Sequence, residues 1–292
     1  MKGLFCAKKF YYKSNGMKKL KIYLFGLLFL ITALLFTFLL AISSEIIPGR
    51  AFFDPIWQLP LLGPTLASIF FILIIKKDKF SDVAIKPFNF KPLLIVILLY
   101  LSAVVIEKVI QLAFGFADFQ INAEKEWIFN KPFNPILGGI IFSLLTIFFS
   151  GFGEEFGWRG YLFHKLKGLS WIEMVLYINI IWAFWHLPMF LSGYMSKGNI
   201  LINFPLFIIA CIEFGIILLY VRIKTKSVIA SMILHPCANI FNGVIALRLM
   251  EINNTYFAGW PNFIAVIVLL PFAIYYYKKG KELYNRELAM IE

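Results

Sequence analysis

A chain of 292 residues could fold as one or two soluble domains, but 61% hydrophobic and 15% charged residues exclude that class, since soluble domains carry roughly 25% charged residues. The net charge of +12 does not point to nucleic acid, because the basic residues sit in short connectors beside apolar runs, where they set topology and meet anionic lipid. Cys6, Cys211 and Cys237 are too few for a disulfide framework to be expected.

The predicted fold is all-α, a polytopic transmembrane helical bundle of about eight spans, each long enough for a ~30 Å hydrocarbon core. A basic cytoplasmic tail over 1–19 leads into a bundle over 20–277, and a cytoplasmic tail over 278–292 follows. The apolar runs place spans at 20–42, 56–75, 93–115, 135–153, 171–195, 203–221, 228–247 and 259–277. Pro55, Pro60 and Pro64 make the second span the least regular, because proline interrupts helical hydrogen bonding. Glu107 and Lys108 in the third span face the bundle or lie near its outer end. Glu173 belongs at the cytoplasmic interface, and His164, among lysines, reads as a solvated loop residue.

Lysine and arginine orient the chain. The N-terminal tail and alternate connectors hold 22 of the 28, against five on the opposite side. That bias places both termini in the cytoplasm of a multi-pass cell-membrane protein.

Ionisable groups in membrane helices are costly, so each needs a partner or a purpose. The fourth span runs into Gly151-Phe-Gly-Glu-Glu-Phe-Gly-Trp-Arg-Gly160. In a helix Glu155 and Arg159 pair on one face, leaving Glu154 to point elsewhere, while Gly153 and Gly157 permit close helix approach. The fifth span carries Trp182-Ala-Phe-Trp-His186, deep in an aromatic stretch. The seventh carries His235-Pro-Cys-Ala-Asn239, whose histidine and asparagine share a helix face. Singly, these groups also read as a charged cap or as interhelical hydrogen bonds. Together, carboxylate and imidazole suit water activation, and imidazole with amide suits an oxyanion.

These motifs, Glu154-Glu155-x-x-x-Arg159, Trp182-x-x-x-His186 and His235-x-x-x-Asn239, resemble those of the CPBP family over about residues 130–250. That family comprises the type II CAAX prenyl endopeptidases and bacteriocin-processing or immunity relatives. Trp182 stands where the family usually has phenylalanine. The resemblance implies an intramembrane endopeptidase acting on a membrane-associated protein or peptide. It implies that Glu154 and His186 activate water, that His235 and Asn239 form the oxyanion site, and that Glu155 and Arg159 support them. No cofactor is expected; zinc is the alternative, since Glu154, His186 and His235 could form a three-ligand site. The competing functions are an ion- or proton-coupled transporter and a non-catalytic immunity protein.

Depth poses a condition on the enzyme reading. At ~1.5 Å per residue, His186 lies about 22 Å along the predicted fifth span, far from Glu154. The fourth helix must therefore continue past Glu155, and the fifth must tilt or begin outside the hydrocarbon.

Overall fold

The computed structural model describes residues 2–45, 55–120, 144–145, 147–193, 195, 198–245 and 249–289. Helix α1 (Lys2–Glu45) is followed by a 3-10 turn over Pro55–Leu62 that continues into α2 (Gly63–Ile74). That irregular entry is where the prolines place it, because Pro60 and Pro64 remove two backbone donors. Helix α3 spans Lys91–Ala113.

The site-bearing helix, α4, runs over 147–165 and alternates between π and α geometry. It continues well past Glu155, as the enzyme reading requires. Glycines let it approach its neighbours closely. A Cβ on Gly153 would lie 2.8 Å from the Leu61 carbonyl oxygen, and one on Gly157 would lie 2.5 Å from Pro64 Cβ. Residues 121–143, which include most of the predicted fourth span before α4, lie outside the described residues.

Helix α5 (Trp171–Trp185) starts with a capping box in which Ser170 and Glu173 satisfy each other's backbone groups. The predicted fifth span, 171–195, is too long: α5 stops at Trp185, His186 caps it, and a short α6 (Leu187–Leu191) follows. Pro188 accounts for the break, because it lacks the N–H that would continue the ladder and restrains the residue before it.

Helix α7 (Ile200–Thr225) is followed by α8 (Ile229–Asn239), which widens into a π segment over Ile240–Ile245. The final helices are α9 (Thr255–Ala258) and α10 (Phe263–Ala289). Helix α10 runs unbroken through most of the stretch predicted as a charged tail. The all-α reading also omitted a short antiparallel ribbon in which β1 (Ala117–Phe119) pairs with β2 (Met250–Ile252).

Among the described residues four helices are long and apolar enough to cross a membrane: Gly16–Ile42, Lys91–Ala113, Ile200–Thr225 and Thr255–Glu287. The protein is a helical membrane bundle. Of these four, α7 is central, with 72% of its apolar window buried against 17–28% for the others. The outer helices turn Leu24, Ile31, Phe38, Leu98 and Val109 outward, as lipid-facing surfaces do. Inside, Trp158, Trp171, Trp185 and Tyr161 are fully enclosed. Phe71 stacks on Tyr161, and Phe29 meets Trp158 edge-on at 5.4 Å. Between membrane helices such packing stands in for the hydrophobic driving force that lipid cannot supply.

Candidate active site

The irregular path of α4 frees backbone carbonyls, and neighbouring helices satisfy them. Thr65 Oγ1 on α2 donates to the Gly153 carbonyl at 2.8 Å. Arg222 Nε at the end of α7 donates to the Arg159 carbonyl at 3.0 Å. These bonds fix the backbone on both sides of the Glu154-Glu155 pair. Both glutamates are buried, at 2% and 0% exposure.

The two carboxylates face different partners. Glu155 Oε1 accepts from Arg159 Nη1 at 2.9 Å and lies 2.8 Å from His235 Nδ1 on α8. Glu154 Oε2 accepts from the indole Nε1 of Trp182 at 2.7 Å. The arginine is held as a fork: its Nη2 donates to Asn179 Oδ1 at 2.9 Å, and its guanidinium lies 4.3 Å from the Trp182 ring centre. Gly215 on α7 makes room for the Asn179 amide, which any Cβ there would strike.

His186 reaches the same region from the end of α5. Its Nδ1 lies 2.9 Å from the Trp182 carbonyl oxygen. A carbonyl can only accept, so Nδ1 carries the proton in that contact, and in the neutral ring Nε2 presents a lone pair. The ring packs edge-on against Trp185 and Phe207. Trp182 also meets His235 edge-on at 5.3 Å.

Glu154, His186, His235 and Asn239 line one cavity of about 470 Å³. Glu155 and Arg159 are not among its lining residues; they stand behind His235. Sequence reasoning paired Glu155 with Arg159 but missed its contact with His235, 80 residues away. It noted Trp182 only as a departure from the usual phenylalanine, whereas the indole donates to Glu154. Asn179 was passed over, although an asparagine in the apolar run Val175–Ala183 was a readable signal. Glu107 faces the bundle: its Oε1 accepts from Lys108, Gln111 and Asn262 at 2.8, 2.8 and 3.0 Å. Glu173 pairs with Lys19 at 2.7 Å. His164 is partly exposed, 3.8 Å from Asp82.

The zinc alternative asks Glu154, His186 and His235 to converge on one ion. Among the described residues no three His, Cys, Asp or Glu side chains are grouped closely enough to hold one.

Residues 136–241 match the Rce1-like family of type II CAAX prenyl endopeptidases. All six candidate site residues fall inside the match. The curated CAAX prenyl protease 2 of Methanococcus maripaludis is 25% identical over 237 residues, covering 75% of this chain and 84% of the relative. The protein is thus a hydrolase, an intramembrane endopeptidase that acts on a protein or peptide.

Proposed function

We propose that the protein hydrolyses a peptide bond of a membrane-associated substrate with water activated by Glu154 and His186. The observation that carries this reading is the shared cavity into which Glu154, His186, His235 and Asn239 all open. Trp182 occupies Oε2 of Glu154, which leaves Oε1 to take a proton from water. Nε2 of His186 is a second acceptor, since its Nδ1 is committed to the Trp182 carbonyl. A hydroxide formed between them attacks the scissile carbonyl, and Glu154 then returns the proton to the leaving amine.

On the opposite side, Glu155 holds Nδ1 of His235, which turns Nε2 towards the substrate. In its protonated form that nitrogen donates to the developing oxyanion, and the Asn239 amide one turn later adds a second donor. Glu155 and Arg159 are positioning residues acting through His235. No step here passes through a metal. The Methanococcus relative's name brings prenylated CAAX peptides in as the first substrates to try. Anionic lipid at the basic face is the proposed membrane partner.

The test uses purified protein in detergent with a quenched-fluorescence peptide ending in a CAAX sequence, farnesylated or unmodified. Wild type should cleave at least one form. Glu154→Gln keeps the side-chain shape but cannot accept a proton, and should lose about 10²–10⁴-fold in turnover. Asn239→Ala should lose about 10²–10³-fold. Turnover should survive exhaustive chelation. A fully active Glu154→Gln protein would overturn the mechanism, and activity lost to a chelator and restored by zinc would replace it with a metal-dependent one.

A further inference from the structure

Glu213 is the only Asp, Glu, Lys or Arg between Lys197 and Arg222. It lies on α7, the most enclosed of the long helices. Its side chain lines the cavity that Glu154, His186 and His235 also line, and the residue is 3% exposed. Neither carboxyl oxygen has a hydrogen-bond partner among the described residues. No step proposed above uses it.

Helix geometry relates Glu213 to the residues of α7 that touch the site. It sits three residues from Ala210, on one edge of the α7 face that also presents Phe207, Cys211 and Phe214 to the cavity. Phe207 packs on His186 at 5.1 Å, and Phe214 packs on His235 at 5.8 Å. A peptide seated across the site would therefore run along the same helix face.

The charges around it say what it would receive. Among the described residues, Glu107, Glu154 and Glu213 are the acidic side chains lining the cavity, and Lys108 is the basic one. Lys108 is already held by Glu107 at 2.8 Å. Arg159 is committed to Glu155 and Asn179. Of the three acidic side chains, Glu154 accepts from Trp182 and Glu107 from Lys108, so Glu213 is the one whose carboxyl group has no donor among the described residues. A buried carboxyl group is stable only with a donor, and charge-assisted donors are the strongest.

We propose that Glu213 is a specificity-determining residue that receives a lysine or arginine side chain of the peptide substrate, close to the bond that is cut. The assignment rests on the endopeptidase reading above.

The test walks a single lysine, norleucine or glutamate through the positions flanking the scissile bond of the farnesylated reporter peptide. At one position wild type should prefer lysine over norleucine by at least about tenfold in kcat/KM. Glu213→Gln should bring that ratio close to one while leaving the norleucine peptide within about threefold of wild type, and Glu213→Lys should prefer the glutamate peptide. Binding of the same peptides to Glu154→Gln, followed by fluorescence anisotropy, reads the contact without turnover. There the lysine preference should persist, and it should vanish in the Glu154→Gln, Glu213→Gln double variant. Equal loss on every peptide, a preference unchanged by Glu213→Gln, or no lysine preference at any position would overturn the proposal. Turnover unaffected by Glu154→Gln, with the Glu213 preference intact, would overturn the mechanism and leave this assignment standing.

Discussion

Arg159 ties three side chains of the site together. It donates to Glu155 and Asn179 through separate nitrogens and lies against the face of Trp182. Both members of the Glu155–Arg159 pair are fully buried, so removing the cation leaves a buried carboxylate with His235 as its remaining partner. Arg159→Ala should cost about 3–5 kcal/mol of stability, read as a lower melting temperature by tryptophan fluorescence in detergent. Arg159→Lys keeps the charge but not the fork, and should fall between the two. An Arg159→Ala protein that melts with wild type would show that the network contributes nothing to folding. The four-residue spacing made this pair legible in the sequence. That His235 and Asn179 complete the network was not legible, because their contacts join different helices and no local pattern encodes them.

At the scale of elements, the site depends on how closely α4 packs against α2 and its 3-10 entry. The Gly153 and Gly157 spacing announced a close approach, and the approach is to Leu61 and Pro64. Gly157→Val inserts side-chain atoms where a Cβ alone would already be 2.8 Å from the Pro64 carbonyl oxygen. Such overpacking should destabilise by about 1–3 kcal/mol, and the variant should lose its monodisperse peak on size-exclusion chromatography after mild heating. A variant as heat-resistant as wild type would mean that α2 yields freely. The break at His186 was less legible. Apolar composition ran on to residue 195, and Pro188 was the local sign that α5 ends earlier. That early end puts His186 at a helix terminus, with its Nδ1 held at the Trp182 carbonyl.

Over the whole molecule, contacts gather the predicted cytoplasmic segments at one end. Lys19 meets Glu173, Lys165 meets Asp78, Lys167 meets Glu287, and Ser227 bonds the Lys86 carbonyl. The opposite end joins Gln111 to Phe257, Asn253 to Asp118, and Asn199 to Tyr256. We propose that the end rich in basic connectors is the cytoplasmic one. Reporter fusions at residue 292 and within 116–134 should therefore report cytoplasmic and external locations, respectively. Both on one side would break the even-span topology.

The sequence by itself determined the solvent this chain folds in, the places where its helices run, and the residue types of its chemistry. Those properties follow from local composition and spacing, which a single chain displays directly. The tertiary structure decided which carboxylate meets which histidine. Glu154 opens to the cavity under the Trp182 indole, while Glu155 turns to His235 and Arg159. Adjacent residues on a helix point about 100° apart, so their roles separate only when the neighbouring helices are in place.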